Sequence, residues 1–133
     1  MKSNLNFENI KVFYLLIIFF FSIFINQYYG YIGVFPIDTF LFFDSGNRVL
    51  NGEFPIKDFW AVSGLTNDFI QALIFKIFGV SWFSYVLHAS LMNFLITFFT
   101  FYTLLKFKLN INFSLIYALL VSVIAYPVAG TPF

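Results

Sequence analysis

The chain has 133 residues, of which 61% are hydrophobic and only 10% are charged, and its mean hydropathy is +0.89. A water-soluble globular domain usually has about 25% charged residues, so this composition excludes an ordinary soluble fold and indicates a membrane protein. Seven Lys and Arg residues nearly balance six Asp and Glu residues, and there is no cysteine, which argues against nucleic-acid binding and excludes disulfides and thiolate metal sites.

The first predicted element is a membrane span over residues 12–31. An uncharged run extends from Val12 to Ile37, which is longer than the roughly 7–15 residues of a signal-peptide core. The run also lacks a small-residue cleavage site. Because a helix needs about 20 apolar residues to cross a bilayer, we interpret it as a retained span.

Residues 38–51 are predicted to form an amphipathic helix. At about 100° per residue, Asp38, Asp44 and Arg48 share one side of this helix, whereas Phe42 lies on the other. Such a helix lies flat on a membrane with its apolar side in the headgroup boundary.

A second helix is predicted over residues 64–78, where apolar residues recur at every fourth position from Leu65 to Ile77. Asp68 and Lys76 make this segment a poor bilayer span. A second interfacial helix is therefore favoured, with a short fourth span as the alternative.

Two further spans are predicted over residues 82–105 and 111–126, each rich in Phe, Leu and Ile. The predicted fold is all-α, with polytopic transmembrane helices and two interfacial juxtamembrane helices in the first external loop. The whole of residues 1–133 forms a single membrane region in this interpretation.

Lysines of the short loops predict the orientation. Lys2 and Lys11 precede the first span, and Lys106 and Lys108 lie between the last two spans. Because such lysines collect on the cytoplasmic side, we expect a multi-pass protein of the cell (inner) membrane with a cytoplasmic amino terminus. Residues 38–81 are then external.

The candidate functional residues are acidic side chains of this external segment. Asp38 directly follows the first span, where a carboxylate can act as a general base or cap the helix. Asp44 and Arg48 have the spacing of a helical salt bridge, and Asp58 is a turn residue or a ligand. His88 fits a buried interhelical hydrogen bond better than catalysis, because no second His or Cys accompanies it.

The order of these features resembles the amino-terminal part of the C-type polytopic membrane glycosyltransferases, such as the dolichyl-phosphate-mannose protein mannosyltransferases and the bacterial aminoarabinose transferases. The resemblance covers roughly residues 10–105. It rests on Asp38 opening a helix that ends at Gly52, on the Pro55-x-x-Asp58-aromatic motif, and on the Ser63-Gly64-Leu65 helix start. Thr39 stands where the family has a second acidic residue, so either Asp44 or Asp58 is left to supply that carboxylate.

The resemblance implies transfer of a sugar from a polyprenyl-phosphate donor to an acceptor glycan, lipid or protein of the cell envelope. Asp38 would be catalytic, and the substrate-binding residues would be Asp44, Lys57, Asp58 and Lys76. A divalent cation held by Asp38 and Asp58 is a further expectation, and no other cofactor is implied.

We also expect the natural chain to continue past Phe133 with more spans, because three spans leave little room for a lipid-linked sugar. The fragment alone would then be inactive. The alternative function is a non-enzymatic multi-pass membrane protein, either a transporter or a scaffold subunit.

Overall fold

The computed structural model describes the backbone of residues 2–33, 36–61 and 64–125, and the side chains of residues 9–33, 39–61 and 64–124. Within these ranges the chain forms five helices and no strand, which confirms the prediction of an all-α fold. The helices are α1 (Lys2–Gly30), α2 (Pro36–Leu50), α3 (Leu65–Phe78), α4 (Trp82–Lys106) and α5 (Ile111–Ala125).

Two helices are long and apolar enough to cross a membrane by their length and composition. The qualifying segments are Asn9–Gly30 in α1 and Trp82–Lys106 in α4, while the apolar segment Ile111–Ile124 of α5 is shorter. α2 and α3 have 15 and 14 residues. At about 1.5 Å per residue they are much shorter than the roughly 30 Å of a hydrocarbon core.

Helix α4 is central, because α1 and α5 both pack along it. Nε1 of Trp82, at the start of α4, donates a 2.9 Å hydrogen bond to the carbonyl oxygen of Gly30 at the end of α1. A Cβ atom on Gly30 would lie 2.7 Å from Cγ1 of Val86, so glycine permits this close approach. At the opposite end the Tyr14 hydroxyl donates to Oδ1 of Asn112 at 2.6 Å. α1 and α4 are therefore antiparallel.

The interior of this three-helix unit holds a polar network beside a buried apolar cluster of Ile18, Phe101 and Ala118, whereas its outer surface is apolar. Nδ2 of Asn93 in α4 donates to Oδ1 of Asn26 in α1 and, at 3.2 Å, to the carbonyl oxygen of Ser122 in α5. Thr97 donates in turn to Oδ1 of Asn93 at 3.3 Å. The exposed large side chains include Phe13, Phe20, Phe24, Phe99, Phe113 and Ile124.

Helices α2 and α3 pack against each other, and α3 also packs on α4. Phe42 of α2 joins Phe75, Tyr85 and Val86 in a buried cluster. The sequence placed Phe42 on a lipid-facing side of α2. This expectation was wrong, because α3 and the start of α4 cover that side with protein.

Gly46 brings α2 and α3 together. A Cβ atom at this position would lie 2.9 Å from Cβ of Gln71, closer still to its Cγ, and 3.3 Å from the Phe75 ring. The two short helices therefore form one unit, called here the α2–α3 unit, which sits where α1 ends and α4 begins.

Candidate functional site

The predicted catalytic residue, Asp38, is the third residue of α2. Its backbone lies in the first helical turn, where a carboxylate interacts favourably with the helix dipole. Its side chain is outside the described residues. The predicted roles of Asp38 as a base and as a metal ligand therefore remain predictions.

Arg48 links α2 to the loop that follows it. Its Nε lies 2.7 Å from Oδ2 of Asp44, one turn earlier, and its Nη1 lies 3.2 Å from Oε2 of Glu53. The guanidinium carbon also stands 5.6 Å from the centroid of the Phe59 ring, within the range of a cation–π contact. The hydrogen bond to Asp44, followed by the charges of Asp44 and Glu53, raises the pKa of Arg48. Arg48 thus connects α2 to Glu53 and Phe59 of the loop that follows it.

Asp58 closes the turn over residues 54–59. Its Oδ2 accepts a 2.8 Å hydrogen bond from the backbone N–H of Phe54, and its own N–H donates to the Phe54 carbonyl at 2.9 Å. Nζ of Lys57 lies 3.8 Å from the other carboxylate oxygen, Oδ1. The Asp58 side chain remains 36% exposed, so the carboxylate is only partly covered by the turn.

The same turn holds a strained residue. Ile56 has φ of 75°, a left-handed conformation that is costly for a β-branched residue. Its N–H donates to the Phe59 carbonyl at 2.7 Å, and its side chain is 72% exposed. Hydrogen bonds of the turn, rather than side-chain packing, therefore hold this conformation.

Lys76 stands apart from this group. It is exposed in the last turn of α3, and no described contact joins it to Asp44 or Asp58. The structure thus brings Arg48, Asp44 and Glu53 together, and places Lys57 beside Asp58.

A metal site is not assembled by the described side chains. Among them, no three His, Cys, Asp or Glu residues converge in a way that could hold an ion. Asp58, one of the two expected ligands, uses Oδ2 for the Phe54 amide. A cation at this place would need Asp38, whose side chain is not described.

The structure confirms the expected buried interhelical hydrogen bond of His88, whose partner, Gln71 of α3, sequence reasoning did not identify. Nδ1 of His88 lies 2.9 Å from Oε1 of Gln71, and both side chains are buried. Asp68, one turn before Gln71 on α3, is buried as well. Nε2 of Gln71 and Nε2 of His88 have no hydrogen-bond partner among the described residues. The polar stripe of α3 therefore faces the protein.

The apolar stripe of α3 faces away from the protein. Leu65, Phe69, Leu73 and Ile77 are all exposed, from 39% at Leu65 to 63% at Ile77. In an apolar chain, a polar stripe within a helix is the one that must be buried. Applied to Asp68 and Gln71, this rule would have predicted from the sequence that the polar stripe of α3 faces protein.

No protein-family model, no curated protein and no solved structure matches this chain.

Proposed function

We propose that this chain is embedded in a membrane, with α1, α4 and α5 crossing the bilayer and the α2–α3 unit at one surface. The distribution of polarity supports the proposal, because Asn93 and its partners are buried while phenylalanines are exposed. An apolar outer surface around a buried polar network is unusual for a soluble helical bundle, and it suits a solvent of lipid tails. The length of α3 favours an interfacial position over a fourth span.

The positions of the lysines support a cytoplasmic amino terminus in this proposal. Lys11, Lys106 and Lys108 lie together at the end of the bundle where α1 begins and α4 ends. The α2–α3 unit lies at the other end, beside Gly30 and Trp82. By the positive-inside rule, the lysine end is cytoplasmic and the α2–α3 unit is external.

The function we propose is transfer of a sugar from a polyprenyl-phosphate donor to an acceptor at the external face. The observation that carries this proposal is the position of Asp38, in the first turn of a helix that starts directly beyond the apolar α1. A carboxylate there meets both the aqueous acceptor and a donor whose lipid tail remains in the bilayer.

In this mechanism Asp38 takes the proton of the acceptor hydroxyl. The acceptor oxygen forms a bond to the anomeric carbon, the bond from that carbon to the phosphate oxygen breaks, and polyprenyl phosphate leaves with the electron pair. The lysines of the external segment, Lys57 and Lys76, would balance the charge of the phosphate. A divalent cation, if required, would serve the same purpose at Asp38 and Asp58.

The two other acidic candidates differ in what they can contribute. Asp44 is already engaged by Arg48 at 2.7 Å, so its contribution is to hold the external segment in shape. Asp58 has a partly exposed carboxylate beside Lys57, which suits a group that positions the acceptor. We therefore assign the second carboxylate of the proposed site to Asp58.

The alternative is a non-enzymatic multi-pass protein, either a transporter or a scaffold subunit. The observation that favours it is the polar network around Asn93, because transporters place binding groups near the middle of the bilayer. Asn93, Asn26 and Thr97 hydrogen-bond to one another, however, so they also serve as contacts between helices.

A transfer assay tests the proposed function. Membranes from the source organism, with the gene deleted or restored, are supplied with a polyprenyl-phosphate donor that carries a radiolabelled sugar. We expect label in an acceptor only when the gene is restored. Equal transfer in both membranes, with uptake of a solute lost on deletion, would instead favour the transporter.

A further inference from the structure

A cavity of about 600 Å³ opens at the lysine end of the bundle, between the start of α1, the end of α4 and the start of α5. This volume lies within the roughly 300–1,000 Å³ of small-molecule sites. The cavity is far along the bundle from the α2–α3 unit and takes no part in the proposed transfer. Its lining residues are Lys11, Tyr102, Leu105, Lys106, Lys108, Leu109, Asn110 and Ile111.

The polar part of this lining is positively charged. Lys106 and Lys108 are both exposed, and neither has an ion-pair partner among the described side chains. No Asp or Glu is among the described residues that line the cavity. The amino-terminal end of α5 at Ile111 adds a partial positive charge. The opening of the cavity thus favours an anion.

Lys108 has φ of 60°, a left-handed conformation that residues other than glycine and asparagine seldom adopt. The turn between α4 and α5 therefore places a charged side chain where a glycine would be conformationally easier.

The rest of the lining is apolar. Tyr102, Leu105 and Leu109 provide surface that a small inorganic anion would leave uncovered. A ligand that matches both parts needs a charged head and a hydrocarbon tail.

We propose that this cavity binds one anionic phospholipid, with its phosphate at Lys106 and Lys108 and an acyl chain along Tyr102, Leu105 and Leu109. Basic cavities between helices on the cytoplasmic side of a membrane bind such headgroups. A second copy packed symmetrically through this face is disfavoured, because it would bring its own lysines against these. The inference rests on membrane insertion and is independent of sugar transfer.

Native mass spectrometry of the purified full chain tests the proposal, with phosphatidylglycerol and phosphatidylcholine offered at equal concentration. The double variant Lys106→Gln/Lys108→Asn removes both charges, and asparagine tolerates the backbone conformation of Lys108. Each lysine near an anionic surface contributes a factor of about five. We therefore expect about 30-fold weaker phosphatidylglycerol binding and little change for phosphatidylcholine.

Two further arms identify the ligand class. The control variant Lys57→Gln/Lys76→Gln changes the net charge by the same amount at the other end, and should retain the lipid preference. Leu109→Trp fills the apolar part of the cavity and should weaken binding of both lipids, while an excess of inorganic phosphate should not displace them.

Equal binding of the two lipids by the natural chain would overturn the proposal. Equal losses in the two lysine variants, or displacement by phosphate alone, would overturn it as well.

Discussion

Gln71 of α3 and His88 of α4 form a 2.9 Å hydrogen bond between two buried side chains. The bond fixes which side of α3 faces α4, and so it also fixes the outward direction of Leu73 and Ile77. This buried polar contact therefore holds the α2–α3 unit to α4 in one orientation.

Removing both partners of this bond should destabilise the protein by less than the sum of the two single removals. Gln71→Leu or His88→Leu leaves a buried polar group without a partner, which costs about 1–3 kcal/mol. The double variant leaves none, so its loss should be smaller than the sum of the two single losses. Thermal unfolding in detergent compares the stability of the natural chain, the two single variants and the double variant. Additive losses would contradict the account, because they would mean that the two residues act independently.

The close approach at Gly46 gives a packing prediction. A Cβ atom there meets the side chains of Gln71 and Phe75, so Gly46→Ala should cost about 1–3 kcal/mol through overpacking. Gly33→Ala is the matched control, because a Cβ atom at Gly33 meets nothing within 4 Å. Similar thermal stabilities for the two variants would argue against the contact between α2 and α3.

The turn at Ile56 gives a prediction of the opposite sign. Ile56→Gly relieves the strain of the left-handed backbone conformation and removes little buried surface. The free energy of unfolding should therefore be unchanged or higher by up to about 1–2 kcal/mol. Lys57→Gly, the control at the next residue, relieves no such strain and should lower stability by about 0.5–1 kcal/mol. A clear loss at Ile56→Gly would show that its side chain has a packing role.

The proposed topology is testable with single cysteines, because the natural chain has none. A membrane-impermeant thiol reagent should label Lys57→Cys in intact cells, since this side chain is exposed on the external loop. Lys106→Cys should be labelled only after permeabilisation. The reverse pattern would invert the orientation, and labelling of both sites in intact cells would contradict a bundle that spans the membrane.

Composition and periodicity were sufficient to predict an all-α fold. They were not sufficient to predict which side of each short helix faces protein, because the same apolar stripe can face lipid or a neighbouring helix. Ser45 illustrates this limit. The helical wheel puts it beside Asp44 and Arg48 on the polar side of α2, yet it is buried. An interhelical hydrogen bond of His88 was predictable, but its partner Gln71 was not, since the pairing depends on how α3 crosses α4.

The candidate site was predictable only in its local contacts. The spacing of Asp44 and Arg48 indicates their salt bridge, and Pro55 with Asp58 indicates a turn. Glu53 was not singled out, because it meets Arg48 only once the chain turns back after Gly52, which has φ of 93°.

Transfer by an Asp38→Asn variant tests the central claim most directly. Asparagine keeps the size of the side chain but cannot accept the proton. At matched expression, transfer of a radiolabelled sugar from polyprenyl phosphate should therefore fall by about 10²- to 10⁴-fold while donor binding is retained. The Asp44→Asn variant should lose less transfer activity, because Asp44 acts through its exposed pair with Arg48. The transfer activity of the Asp58→Asn variant should lie between those of the other two. Undiminished transfer by the Asp38→Asn variant would contradict the account.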